Sequence, residues 1–217
     1  GYTVELNALW YNAICFSLEI AKAAGDMQFT GRWECVPSSL KTAFKDMFWD
    51  EKKGYLADFC DDQSKDWSFR PNQIFATSLK YSVCNKDMSK SVLENVKGKL
   101  LTNRGLKTLS EDDEKFIGSY IGNQNTRDHS YHQGIVWPWL LGHFAQGYVN
   151  VFRDNALPLL EEIYDQFNSE IADYGIGSIG EIYDAEPPFA AKGTIAQAWS
   201  ISELIRIKAL INKLKNN

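Results

Sequence analysis

Val4-Glu-Leu-Asn-Ala-Leu-Trp-Tyr-Asn-Ala-Ile-Cys-Phe-Ser-Leu-Glu-Ile-Ala-Lys-Ala-Ala24 decides how the rest of the chain is read. Glu5, Asn12 and Glu19 stand seven apart on one narrow polar stripe, and the remainder of the helical surface is apolar. A helix apolar nearly all round is predicted to be buried on both sides, so other helices must flank it. Working outward, helical spacing recurs at Leu40, Ala43, Phe44 and Met47, over residues 74–83, and at Met88, Val92, Leu93, Val96 and Leu100. It recurs again at Val136, Leu140, Phe144, Tyr148 and Val151, then at Leu160, Ile163, Tyr164, Phe167 and Ile171. A seventh helix opens at Thr194-Ile-Ala-Gln197, read as a capping box, and runs through Leu204, Ile205 and Leu210. Paired in order, these helices make three antiparallel hairpins and a lone seventh helix. The expected fold is all-α, an incomplete circular array of helical hairpins.

Two connections, residues 103–133 and 172–193, exceed the usual loop length, and such loops tend to carry function. Residues 54–59 read as the arm of a β-hairpin. The 217 residues, 44% of them hydrophobic, are ample for one core and are read as a single domain, residues 1–217. Because the first residues already look structured, the chain is read as the C-terminal portion of a longer domain. A net charge of −5 speaks against nucleic acid, whose phosphates call for clustered cations. No apolar stretch reaches the length of a membrane span. Cys15, Cys35, Cys60 and Cys84 show no zinc spacing, and Cys15 reads as a core thiol. No metal and no cofactor is expected; His129 and His132, three apart, have no further ligand cluster beside them.

Three polar constellations stand out. Gly175-Ile-Gly-Ser-Ile-Gly-Glu181-Ile-Tyr183-Asp184 combines glycines that permit close backbone approach with a carboxylate and a flat ring, a mixture that suits a sugar. Arg70-Pro-Asn72-Gln73 places a guanidinium and two amides at a helix mouth, where they match a ring of hydroxyls. Asp128-His-Ser-Tyr131-His132-Gln133-Gly-Ile-Val-Trp137-Pro-Trp139 ends a long loop, and Pro138 holds the cluster at a helix start. Glu181, Asp184 and Glu186 lie too close in sequence to be the two opposed carboxyls of a glycosidase, so a partner must come from elsewhere.

These motifs, with Gly1-Tyr-Thr-Val-Glu5-Leu-Asn and Ala196-Gln-Ala-Trp-Ser200, resemble the amylo-α-1,6-glucosidase domain of glycogen debranching enzymes over essentially the whole chain. The resemblance implies an (α/α)6 toroid similar to glucoamylase, a cytoplasmic protein, and a glycogen or branched α-glucan substrate. It implies an inverting mechanism with Glu181 as the catalytic base. The family's general acid is an aspartate in a Thr-Trp-Met-Asp segment just upstream of the first motif, so this chain is expected to hold the base without the acid and to be nearly inactive alone. Glu5, Arg70, Asn72, Gln73, Asp128, Tyr131, His132 and Gln133 are expected at the sugar site, with Trp137 or Tyr183 stacked on glucose. Two other readings stay open: another toroid glycosidase of trehalase or oligosaccharide-glucosidase type, and a noncatalytic helical domain that binds glycogen or a protein. An unflanked apolar edge is expected to favour self-association.

Overall fold

Helix α1 (Val4–Ala24) forms over the residues its spacing predicts and stops at Gly25, whose φ of 71° supplies a left-handed cap. The structure, a computed structural model, describes residues 1–216, without the side chain of Asp173. Along the chain follow α2 (Met27–Trp33), α3 (Val36–Phe48), α4 (Phe75–Ser78, continuing a 3-10 turn over Pro71–Ile74), α5 (Lys86–Lys99), α6 (Gln124–Ser130), α7 (Leu140–Phe152), α8 (Leu157–Asp165), α9 (Asn168–Asp173) and α10 (Ala198–Lys215). Packing contacts run from α1 to α4, from α4 to α7 and from α7 to α10, forming an inner row. Against that row lie α2 and α3 on α1, α5 on α4 and α7, and α8 on α10.

The expectation that α1 is buried on both sides is corrected. Val4, Ala8, Ile14, Leu18 and Ala21 are buried, whereas Leu6, Leu9, Trp10, Phe16 and Ile20 are exposed. Its polar stripe meets the chain around α4: Asn12 Oδ1 accepts from Tyr81 N at 3.1 Å, and Glu19 holds Lys80 at 2.6 Å. Cys15, expected in the core, is half-buried, and Cys60 and Cys84 are the buried thiols.

Other departures have local causes. The helix expected over residues 74–83 stops at Ser78, because Asn150 Nδ2 takes the carbonyl of Thr77 at 3.2 Å and Ser82 Oγ takes that of Ala76 at 2.7 Å. Helix α7 starts at Leu140 rather than Val136, since Val136 and Trp137 are drawn into a strand and Pro138 has no N–H to donate. Helices α2 and α6, absent from the periodicity, are started by side-chain caps: Asp26 accepts from Phe29 N at 2.9 Å, and Asn123 from Thr126 N at 3.1 Å.

The all-α expectation is also incomplete, because short strands knit the rim. They are β1 (Tyr2–Thr3), β2 (Trp49–Asp50), β3 (Tyr55–Leu56), β4 (Phe59–Cys60), β5 (Lys65–Asp66), β6 (Leu101–Thr102), β7 (Gly105–Lys107), β8 (Val136–Trp137), β9 (Ile182–Tyr183) and β10 (Ala191–Lys192). The hairpin expected near residue 55 forms between β2 and β3. A five-stranded sheet in the order β10-β9-β8-β7-β6 joins the two long connections, with Val136 opposite Tyr183. Two-residue strands are too short to show a period in sequence. Among the described residues, no helix is long and apolar enough to cross a membrane.

Tyr183 is fully buried, with 0% exposure, so it cannot stack on a sugar as expected. It packs with Val136 and Ala185, and its hydroxyl accepts from Gly180 N at 3.0 Å. Burial raises its pKa. Tyr183→Phe should therefore lower stability by about 1–3 kcal/mol through the orphaned Gly180 N–H, read as a fall in denaturant midpoint, and leave oligosaccharide affinity unchanged. A loss of affinity at unchanged stability would contradict the assignment.

Candidate active site

The starts of α1, α4, α7 and α10 are linked in space: Val4 N donates to Asp58 O at 3.0 Å, Asp58 lies 3.9 Å from Arg70, Arg70 shares a cavity with Trp137 and Trp139, and Trp139 stacks on Trp199. Glu181 stands one residue before β9, and both its backbone and its side chain are fixed. Its N–H donates to Thr194 O at 3.0 Å, and its Oε2 accepts from Thr194 N at 3.0 Å. Oε1 accepts from the Tyr131 hydroxyl at 2.5 Å. Desolvation, then the bond to Glu181, raises the Tyr131 pKa, so the phenol stays a donor. Gly193 makes this approach possible: at φ +65°, a Cβ there would lie 2.5 Å from Glu181 Oε2. Thr194 is thus spent on Glu181 and caps no helix; α10 starts four residues later, correcting the capping-box expectation. Each carboxylate oxygen has one protein donor and keeps acceptor capacity for another.

Beside Glu181 lies an aromatic wall. Tyr131 packs edge-on against Trp137 at 4.8 Å and accepts the Trp137 indole N–H on its carbonyl at 3.1 Å. His132 stacks on Trp137 at 5.2 Å with rings 10° apart. Trp199 meets Trp137 edge-on at 5.8 Å and stacks with Trp139 at 5.7 Å. An adjoining cavity of about 210 Å³ is lined by Arg70, Asn72, Thr108, His132, Trp137 and Trp139, among others. Neither Glu181 nor Tyr131 is part of that lining; Tyr131 packs against its His132 and Trp137.

The amylo-alpha-1,6-glucosidase family matches residues 1–206. The chain belongs to that family. It is accordingly a domain of glycoside hydrolase type. Solved structures give the same fold: neutral trehalase from Saccharomyces cerevisiae is 14% identical with a TM-score of 0.69, covering 98% of this chain and 40% of its own. A mannosylglycerate hydrolase from Thermus thermophilus, solved with glucose, is 14% identical with a TM-score of 0.66, covering 95% and 47%. A sialidase is 13% identical with a TM-score of 0.71, covering 94% and 19%. The chain thus spans less than half the length of these structures.

Within this member of the family, the residues singled out from sequence separate into two groups. Arg70 works as a clamp: Nη1 donates to Thr108 O at 3.1 Å and His132 O at 2.7 Å, and Nη2 to Gln133 Oε1 at 2.8 Å. Most of its fork, and the Gln133 oxygen, is therefore committed to protein rather than free for hydroxyls. Gln73 is 2% exposed, donates to Arg70 O at 3.0 Å and accepts from Leu56 N at 3.2 Å, so it is structural and the expected sugar contact is corrected. Asp128 is exposed on α6 and does not line the cavity, so it is not brought to the mouth. Trp137 does line the cavity but is only 3% exposed, with His132 against its face; the open indole is Trp199, at 45%. Asp184 is held by Tyr120 N at 2.8 Å and Lys192 at 3.5 Å. Partial desolvation and the Arg70 charge lower the His132 pKa, favouring the neutral ring.

Asp58 is the residue that sequence reasoning missed. Its Oδ1 accepts from Asn72 Nδ2 at 2.8 Å, and its Oδ2 lies 3.9 Å from Arg70 Nε. Glu5, whose buried Oε2 has no hydrogen-bond partner among the described residues, adds a second negative charge nearby. Burial pushes the Asp58 carboxyl up to about 6, against the opposing pull of Asn72 and Arg70. No motif marks it, because its burial comes from the pairing of β4 with β1.

A carboxyl raised in the folded state keeps a proton that the unfolded chain releases. Its stabilising contribution is whole below pH 3.8 and is lost as pH rises through about 6. Asp58→Asn should abolish this decline, on the order of 1–3 kcal/mol, in melting curves recorded across that window. Parallel curves for the two proteins would contradict the assignment.

Proposed function

We propose that this domain removes α-1,6-linked glucose from branch stubs of glycogen or limit dextrin with inversion, Glu181 serving as the base. The observation that carries the reading is the double fixation of Glu181 by Tyr131 and Thr194 beside an aromatic wall. A preorganised carboxylate with spare acceptor capacity is suited to orienting water. In the proposed step, Glu181 takes a proton from water, and the water oxygen attacks C1 from the face opposite the leaving oxygen. The C1–O6 bond breaks, a general acid protonates O6, and β-glucose leaves. That acid is assigned to the upstream Thr-Trp-Met-Asp segment of the family pattern, roughly 6.5–9.5 Å across the site as inversion requires. Trp199, 45% exposed and backed by Trp139, presents the accessible ring for sugar stacking.

The inner row α1-α4-α7-α10 is, in this reading, an arc of an (α/α)6 ring, and the apolar flank of α1 is where the arc continues. In isolation that flank favours self-association. Trehalase-like structures are compatible with the same arrangement, but the family match favours debranching.

The test uses the chain extended upstream through the Thr-Trp-Met-Asp segment. It should release β-glucose first from limit dextrin, observed by NMR. Glu181→Gln should lower kcat by roughly 10² to 10⁴ with a much smaller change in KM. Release of α-glucose, or a rise in KM at unchanged kcat, would refute the reading.

A further inference from the structure

A second cavity, larger than the one lined by Arg70 and Trp137, lies away from Glu181. It lies at the opposite end of α7, where α4, α5, α7 and α10 meet, with a volume of about 750 Å³. On α7 the nearest lining residues of the two cavities, Leu140 and Gln146, are six positions apart, about 9 Å along the helix, and Arg153 stands just past its far end. Four cations line it: Lys80, Lys86, Arg153 and Arg206. No carboxylate is in the lining, although the chain as a whole carries a net charge of −5.

Two of the cations are already matched, Lys80 by Glu19 at 2.6 Å and Arg206 by Glu203 at 3.2 Å. Among the described residues, Lys86 and Arg153 have no carboxylate at ion-pair distance, and their sequence neighbours Asp87 and Asp154 do not line the cavity. Arg153 holds its charge at a backbone position that favours glycine, φ 56° and ψ −129°. Between the cations sit the amides Gln146 and Asn150. Gln146 Nε2 donates to Asn150 Oδ1 at 3.0 Å, leaving the Gln146 oxygen and one N–H without protein partners among the described residues.

We propose that this cavity binds a phosphorylated small molecule of monosaccharide size. Arg153 and Lys86 would take the phosphate, one as a fork and the other as a point charge, and Gln146 would meet hydroxyls. The volume falls within the usual range of small-molecule sites, roughly 300–1,000 Å³, and orthophosphate alone would fill a small part of it. The site is independent of Glu181, so it stands or falls apart from the proposed hydrolysis.

Calorimetric titration of the chain with glucose 6-phosphate, orthophosphate and glucose at low ionic strength tests the proposal. Glucose 6-phosphate should bind at least about fivefold more tightly than orthophosphate, and glucose should show no binding at this site. Lys86→Gln combined with Arg153→Gly should weaken glucose 6-phosphate at least about tenfold, and Glu181→Gln should leave it unchanged. Arg153→Gly suits the local backbone, and Lys86→Gln alone, at an exposed helix start, should reproduce part of the loss in a protein with unchanged melting. Absence of glucose 6-phosphate binding, equal affinity for orthophosphate, or binding that survives the double variant would overturn the proposal.

Discussion

The backbone pairing of Val136 with Tyr183 is the constraint on which the rim depends. These residues are 47 positions apart, one just after the first long connection and the other within the second, and their pairing lays β8 beside β9. With β8 fixed, Tyr131 is held against Trp137; with β9 fixed, Glu181 stands just outside the sheet. The Tyr131 to Glu181 bond then follows from placement. Thr194, brought close by the β9–β10 pairing, closes the other side of the carboxylate. A flexible loop would pay an ordering cost at each encounter with substrate, whereas this carboxylate is already oriented.

Behind the sheet, Arg70 ties the start of the inner helix α4 to the carbonyls and amide of the Thr108 to Gln133 region. Its other side faces Asp58, which also holds Asn72. The polar residues of the Arg70 turn therefore serve mainly as a frame for the aromatic wall. That wall is graded in exposure: Trp137 is sealed by His132, and Trp199 is open. Buried aromatics set the geometry, and exposed ones are free to meet a ligand.

The helices were legible where apolar spacing was long and a cap was written into the sequence. Helix α1 is the plain case, with a sustained apolar pattern ending at Gly25. Where side chains from distant segments take helix carbonyls, as Asn150 does at Thr77, the local pattern overstates the helix. The two-residue strands were illegible because such a short element has no measurable period, and the burial of Tyr183 was lost with them. Glu181 could be singled out from its glycine-rich setting, but Thr194 as its partner could not, since the bond depends on the conformation at Gly193. Asp58 shows the same limit: a carboxylate amid ordinary residues becomes part of a site only when the chain around it is folded.

Azide rescue tests the central claim, that Glu181 activates the nucleophile, more directly than any loss of activity. Glu181→Ala in the upstream-extended chain, supplied with α-glucosyl fluoride and azide, should form β-glucosyl azide, because azide needs no deprotonation and fluoride leaves without a general acid. Formation of that product restored by azide, and absent without it, is the predicted result. No β-glucosyl azide in a variant that still binds oligosaccharide would contradict the account.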